Sequence, residues 1–290
     1  MNRVLVIGDL ILDKYDYCIN RENPESSAPC YTVNKIEYKL GGAGNVAANL
    51  RSLGSSVKLI SVLGDDPNGA ILNNLLLKEG IDNHLIFDLS KLTPVKERIL
   101  SAHDNRYHYR KDIENNKCLG LEHIPQIIKI ASNSSVILIS DYNKGIVSKE
   151  LIEQLKLLKI PIIVDPKPSN ILFYNGVFLI KPNLKELFEI TKISDPLVAA
   201  QELSNMLNTK VLLTRGKDGV SYFGETRFDL PSNANDVFDV TGAGDTFIAT
   251  FVHFFNKGYK IINCIELANK AAGISVAYPG CYQITEKELL

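Results

Sequence analysis

Asp245 is the carboxylate around which chemistry can be built. It closes the stretch Thr241-Gly242-Ala243-Gly244-Asp245, which leads from a polar, turn-rich segment (Pro231, Ser232, Asn233, Asn235) into an apolar helical run (Phe247, Ile248, Phe251, Phe254, Phe255). Small residues at a helix start let backbone N–H groups approach a ligand closely, and that end of a helix favours negative charge. A carboxylate beside a phosphate-sized cradle suits phosphoryl transfer. The amides hold the group in transit while the carboxylate takes the proton of the attacking hydroxyl. Taken alone, the same residues suit a capped helix in which Asp245 only stabilises the dipole.

The elements that must position this turn alternate along the chain. Strands are expected at 4–7, 57–62, 85–87, 136–139, 160–164, 177–180 and 211–213, from short apolar runs bounded by turn residues. Helices are expected at 46–53 (stopped by Gly54), 70–79 (closed by Gly80), 124–131, 149–158, 184–191 and 198–207. Such alternation predicts an α/β fold, a mostly parallel sheet covered on both faces. Polar signatures recur just past the strands: Gly8-Asp9 with Asp13, Ser140-Asp141-Tyr142-Asn143-Lys144-Gly145, Asp165-Pro166-Lys167, Lys181-Pro182-Asn183-Leu184-Lys185-Glu186 and Thr214-Arg215-Gly216-Lys217-Asp218-Gly219. A doubly wound sheet places such strand ends along one crevice. Asp9 and Asp13 suit a ligand there or the capping of a turn. Gly41-Gly42-Ala43-Gly44-Asn45 suits a hinge, a close ligand approach or a plain loop-to-helix junction.

Two stretches depart from this style. Residues 14–40 and 93–112 interleave Tyr15, Tyr17, Tyr31, Tyr38, Tyr107 and Tyr109 with polar and charged residues, and read as short strands with one exposed face. They are expected to project together as a lid. Its tyrosine-rich strand surface exceeds what a small lid can bury, so a homodimer through the lids is expected.

The totals narrow the function. The chain has 290 residues and a net charge of −1, with a pI near 6.5, which argues against a general nucleic-acid or membrane binder. The five cysteines form no CxxC pair and read as free thiols of a reducing compartment. With no signal-like or membrane-length apolar run, a soluble cytoplasmic protein is expected. There is no GxxxxGK[ST], and no GxGxxG follows the first strand, which disfavours P-loop and dinucleotide folds. The five histidines show no metal-ligand spacing, and His253 is expected to pack in the core.

In their order along the chain, Gly41-Gly42-Ala43-Gly44-Asn45, Asn183-x-x-Glu186, Thr214-x-Gly216-x-x-Gly219 and Asp239-Val240-Thr241-Gly242-Ala243-Gly244-Asp245 resemble the ribokinase (PfkB-type) carbohydrate kinases. The resemblance covers essentially the whole chain. Within the family it is greatest to the D-glycero-D-manno-heptose-7-phosphate kinase domains, through Arg21-x-x-Pro24-Glu25-x-x-x-Pro29, Lys96-x-Arg98, Arg110-x-Asp112 and Ser140-Asp141-Tyr142-x-Lys144-Gly145. Ser26-Ser27-Ala28 and Tyr107-His108-Tyr109 depart from that pattern.

The resemblance implies one domain over 1–290: a doubly wound αβα sandwich with a small β-sheet lid. It implies Asp245 as catalytic base, with the amides of Gly242, Ala243, Gly244 and Asp245 as anion hole. Asn183 and Glu186 would act through Mg²⁺ and its waters on the ATP phosphates. Lys167, Thr214, Gly216, Gly219 and Asn269 would line the nucleotide site. Asp13, Gly42, Asn45 and Asp141 would meet the sugar, and Lys96, Arg98, Arg110 and Lys144 would grip its phosphate. Asp239 and Thr241 resemble half of a monovalent-cation (K⁺) site, the other half, residues 275–284, matching poorly.

The implied reaction is phosphorylation of heptose 7-phosphate at the anomeric hydroxyl, a step toward nucleotide-activated heptose for surface polysaccharide. The chain ends without the nucleotidyltransferase domain often fused to such kinases. A kinase for another sugar, a silent sugar- or nucleotide-binding regulator and an oxidoreductase are the rival readings. The regulator would not need Asp245, Asn183 and Glu186 together, and the oxidoreductase lacks its glycine fingerprint.

Overall fold

A computed structural model describes residues 3–234 and 236–290; Asn235 of the turn-rich segment lies outside the described residues. In chain order the strands are β1 (Arg3–Gly8), β2 (Leu10–Arg21), β3 (Cys30–Gly42), β4 (Ser56–Gly64), β5 (Asp82–Asp88), β6 (Val95–Ser101), β7 (Tyr107–Ile113), β8 (Val136–Ser140), β9 (Ile162–Asp165), β10 (Leu179–Ile180), β11 (Lys210–Thr214), β12 (Val220–Phe223) and β13 (Arg227–Leu230). The helices are α1 (Ala43–Ser52), α2 (Pro67–Lys78), α3 (Ile124–Ala131), α4 (Lys149–Leu157), α5 (Leu184–Thr191), α6 (Pro196–Leu207), α7 (Ala243–Asn256), α8 (Ile261–Ser275) and α9 (Glu286–Leu289).

The nine-stranded sheet runs β13-β12-β11-β10-β9-β8-β1-β4-β5. It is parallel from β11 to β5, with β12 and β13 antiparallel at one edge. Helices cover both faces, which is why β1 and β8 are continuously apolar and buried. One core joins Val4, Val6 and Leu138 to Phe247, Phe251 and Cys264 of α7 and α8. The other joins Leu5, Ile7 and Ile139 to Ile127, Leu151 and Leu203 of α3, α4 and α6. From β1 the chain builds β4 and β5 on one side, then returns to build β8 to β11 on the other. The order therefore reverses at β1 and β8, where a doubly wound sheet opens its crevice.

The lid is a separate four-stranded sheet, β3-β2-β6-β7. Its first two strands are longer than the short ones expected, 12 and 13 residues, and β2 begins at Leu10. Their length comes from the ladder they form together, which survives one irregularity between Tyr17 and Cys18 that interrupts the alternation readable in the sequence. The expected strands at 160–164 and 177–180 shrink to β9 and the two residues of β10. Three elements were not anticipated. The β12–β13 hairpin has four-residue strands with polar residues such as Ser221 and Asp229, and α8 and α9 follow α7.

The crevice depends on close passage of β1 and β8. A Cβ on Gly8 would lie 2.3 Å from the Ser140 carbonyl oxygen and 2.9 Å from the Ala43 Cβ. Gly8→Ala should therefore destabilise the fold by about 1–3 kcal/mol or more, seen as a lower urea midpoint with an unchanged slope.

Candidate active site

Three elements meet at the switch point: the loop after β8, the start of α1 and the start of α7. Asp9, just past β1, is buried and accepts hydrogen bonds from the backbone N–H groups of Tyr142 (2.9 Å), Lys144 (3.0 Å) and Ile146 (3.3 Å). Its carboxylate thereby folds the 142–146 loop. Burial pushes its pKa up to about 6 against those amides. The loop presents Tyr142, whose hydroxyl donates to Asp245 Oδ1 at 2.9 Å. Asn45 Nδ2, from α1, donates to the other oxygen, Oδ2, at 2.8 Å. Asp245 is buried, and burial raises its pKa while these two donors and the cations Lys181 and Lys96 oppose the rise. A carboxylate with a raised pKa, still holding free lone pairs, is suited to accept a proton.

The start of α7 is left open, as an anion site would require. Its N-cap, Gly242, has φ +77° and offers no side-chain cap. Among the described residues Ala243 N–H reaches the Val240 carbonyl at 3.3 Å and Thr246 N–H the Gly242 carbonyl at 2.9 Å, while the amides of Gly244 and Asp245 have no backbone acceptor. Gly244 is exposed, with only Lys181 Nζ near its Cβ direction, at 3.6 Å. Lys181 is itself buried and paired with Asp165 at 3.0 Å, so positive charge underlies the turn. Burial would lower the Lys181 pKa, but Asp165 and Glu186 carry it above the ordinary value.

The lid presents the opposite wall. Lys39, Asp13, Lys96 and Asp112 form one cross-strand row, and Glu37, Tyr15, Arg98 and Arg110 the next row on that face. A Cβ on Gly41 would lie 2.4 Å from an Asp13 carboxylate oxygen, so the glycine there makes room for Asp13 rather than for a hinge. Gly42, at φ +56°, passes close to the Asp9 carbonyl. Three of the four expected phosphate grips are already paired: Arg98 with Asp13 (2.6 Å, buried), Arg110 with Asp112 (2.8 Å) and Lys144 with Glu114 (2.6 Å). Among the described residues Lys96 has no carboxylate within ion-pair distance; its ammonium lies 5.2 Å from the centre of the Tyr142 ring. Burial lowers its pKa, with Asp13 opposing.

A cleft of about 460 Å³ continues from Tyr142 past Lys144, Lys167, Asn183, Lys185 and Glu186. Asn183 caps α5 and Glu186 answers it in a capping box, Asn183 N–H to Glu186 at 3.0 Å and Glu186 N–H to Asn183 at 2.9 Å. Lys167 pairs with Glu186 at 3.1 Å. A bridge between Asn183 and Thr214 brings the two motifs side by side. Each Glu186 oxygen makes one of these bonds and keeps a lone pair. Glu186, with Glu189 also lining this lysine-rich cleft, fits Mg²⁺ held through its waters, and among the described residues no cluster of three or more His, Cys, Asp or Glu forms a protein cage for a metal.

Other expected residues take different places. Asp141 is buried and accepts from Asn143 N–H, Lys167 N–H, the Asn170 amide and the Tyr174 hydroxyl (2.6 Å), which makes it a loop anchor rather than a sugar ligand. The Asn269 amide donates to the Pro231 carbonyl at 2.6 Å and tethers the segment leading to α7. Gly219 has φ +83°, and a Cβ there would meet the Leu230 carbonyl at 2.0 Å; Gly216, at φ +59°, faces open space. Asp239 accepts from Thr241 N–H (2.9 Å) and Gly280 N–H (2.8 Å), so it joins the α7 turn to the 278–282 segment. His253 is packed as expected, beside the Ser55 hydroxyl.

The model of the pfkB family carbohydrate kinases matches residues 1–288. The chain belongs to the pfkB family of carbohydrate kinases. It is a phosphotransferase acting on a sugar hydroxyl. The bifunctional protein HldE of Campylobacter curvus is 35% identical over 289 residues, which cover 96% of this chain and 62% of that protein. HldE of Desulfatibacillum aliphaticivorans is 35% identical over 305 residues, 99% of this chain and 62% of that protein. The kinase thus spans less than two thirds of these relatives. In fold it matches Escherichia coli phosphofructokinase-2 in complex with potassium (TM-score 0.82, 19% identity, 100% of this chain and 97% of that one). It also matches Arabidopsis thaliana ribokinase complexed with ribose and ATP (TM-score 0.77, 21% identity, 97% and 94%).

Sequence reasoning left four residues of the kinase's site without a role. Tyr142 and Asp165 were legible only as parts of motifs, and Lys181 only as the residue before Pro182. Cys281 gave no local signal, yet its sulfur lies 3.0 Å from where a Gly242 Cβ would be, and burial pushes its thiol up to about 12, leaving it neutral.

The capping box separates metal from fold at Glu186. Gln keeps the cap, so Glu186→Gln should raise the Mg²⁺ concentration needed for activity while moving stability by less than about 1 kcal/mol. Glu186→Ala should lose a further ~1 kcal/mol in thermal or urea unfolding, as the Asn183 N–H loses its acceptor while the Asn183 cap itself remains.

Proposed function

We propose that this kinase transfers the γ-phosphoryl group of Mg²⁺-ATP to the anomeric hydroxyl of D-glycero-D-manno-heptose 7-phosphate, giving the 1,7-bisphosphate. Asp245 takes the proton of the attacking hydroxyl, and the amides at the start of α7 with Lys181 beneath them hold the charge of the transferring group. The nucleotide lies along the cleft past Lys167, Asn183 and Glu186 toward Thr214 and Gly216, with a K⁺ ion near Asp239 and Thr241 as a further element of this reading. HldE relatives, together with the heptose-kinase motifs of the sequence, support the sugar.

One observation carries the phosphorylated acceptor: Lys39 and Lys96 flank Asp13 on the lid, and among the described residues neither has a carboxylate partner. Unpaired cations beside the sugar end of a site are what a terminal phosphate requires, whereas Arg98 and Arg110 must first leave Asp13 and Asp112. The proposal also includes a cytoplasmic location; among the described residues no helix is long and apolar enough to cross a membrane.

Purified kinase with Mg²⁺-ATP should release ADP with heptose 7-phosphate. A charge-assisted contact to phosphate is worth roughly 1.5–3 kcal/mol, so Lys96→Met should lower kcat/KM on that substrate about ten- to a hundredfold and much less on unphosphorylated heptose. Equal losses on both sugars, or a wild-type preference for the unphosphorylated one, would replace heptose 7-phosphate by another sugar. Sugar binding without turnover would favour the silent regulator.

The lid supports a homodimer. On its face away from Asp13, Val33 (48% exposed), Ile36 (44%), Tyr38 (37%) and Tyr109 (51%) surround a partly sheltered charged group, Lys14, Asp16 and Glu97. A second lid would cover that apolar rim. Light scattering at micromolar concentration should give twice the 32.2 kDa chain mass, and Ile36→Asp should return the monomer.

A further inference from the structure

Tyr142 occupies a position that the reaction as described does not use. Two ammonium groups lie over its ring, Lys96 from the lid 5.2 Å and Lys167 from the cleft 5.3 Å from the ring centre. Its backbone N–H is fixed by Asp9 and its hydroxyl by Asp245 Oδ1. The side chain is thus held at three points: the main-chain N–H by Asp9, the ring by two nearby ammonium groups and the hydroxyl by Asp245. Cations over the faces of an aromatic ring attract it without consuming the hydroxyl.

We propose that Tyr142 is a positioning residue that aims the catalytic carboxylate, holding Asp245 Oδ1 so that its remaining lone pairs face the acceptor hydroxyl, with the two lysines holding the ring. This rests on the reading of Asp245 as the base. In the transfer step the sugar oxygen forms its bond to the γ-phosphorus and the bond from that phosphorus to the β-bridging oxygen breaks. The hydroxyl proton passes to Asp245, and the hydrogen bond from Tyr142 keeps the receiving carboxylate from rotating out of line. A hydrogen bond to the charged form also stabilises the carboxylate, so it tempers the rise that burial imposes on Asp245. The tyrosine remains a donor because burial and the neighbouring Asp245 hold its own pKa well above the ordinary value. The other charged or titratable groups facing Asp245 are Lys181, Lys96, Asp165 and Cys281, and none of them hydrogen-bonds its carboxylate among the described residues.

Tyr142→Phe keeps the ring against the two lysines and removes only the hydroxyl, and Asn45 still donates to Asp245, so the variant should fold with a melting temperature near that of the parent. Losing the donor should lower kcat roughly ten- to a hundredfold with KM for ATP and sugar within about twofold. The acidic limb of the kcat profile should move to higher pH, because the charged form of Asp245 has lost a stabilising bond. The second arm combines the change with Asp245→Asn. On that background Tyr142→Phe should cost less than about twofold, since contacts that act through one group are not additive. An acidic limb that stays in place, or an equal loss on both backgrounds, overturns the positioning role and leaves the base standing. Near-normal turnover of Asp245→Asn alone overturns the base, and the inference with it.

Discussion

The site depends on a carboxylate that does no chemistry. Asp9 is buried at the end of the central strand, and an unpaired charge there would be costly. It is stabilised by three backbone amides of one loop, which forces that loop into a single shape and brings Tyr142 across to α7. Asp141 repeats the device one strand over, gathering Asn143, Lys167, Asn170 and Tyr174. Loops at a switch point are otherwise the least constrained part of such a sheet. Two buried acids make them rigid enough to hold a reacting group within hydrogen-bond tolerance.

Helix termini divide the remaining work. The start of α5 is closed by its own residues, since Asn183 and Glu186 satisfy each other's amides. The start of α7 is left open, with Gly242 in the left-handed region and no side-chain cap. A free helix start is destabilised by about 1 kcal/mol relative to a capped one. Here that cost leaves amides free at the helix start, beside a buried lysine and a buried carboxylate, as the proposed phosphoryl transfer requires.

Charge pairing in the lid sets what can be gripped. Breaking a buried pair such as Arg98–Asp13 costs about 3–5 kcal/mol, because it strands a charge away from water. That exceeds what one phosphate contact returns, so Arg98 holds Asp13 in place, which is why the proposed phosphate grip falls to Lys96. Arg110–Asp112 is half-exposed and weaker, and its exchange of partners is far less costly.

The alternation of strands and helices, the open glycine turn before Asp245 and the polar signatures at strand ends were all legible in the chain, because each follows from a local period or a local turn. The capping box of Asn183 and Glu186 is a contact over three residues, but the sequence reading gave that pair only a Mg²⁺ role and left the cap to the structure. The sequence could not say which cations are free, since Asp13 and Arg98 are 85 positions apart and meet only through the β2–β6 register. Nor could it place Asn45 on Asp245, 200 positions away, or distinguish Asp9 and Asp141, whose carboxylates anchor loop amides, from Asp245, which the side chains of Asn45 and Tyr142 hold. The long lid strands, the edge hairpin and α8 were hidden for a related reason: hydrogen-bonding partners from elsewhere in the chain fix a strand's length, and packing against α7 rather than its own polarity pattern fixes α8. Local periodicity therefore determined the elements and the chemistry on offer, while tertiary register decided which of those groups are neutralised, which are buried and which remain to act.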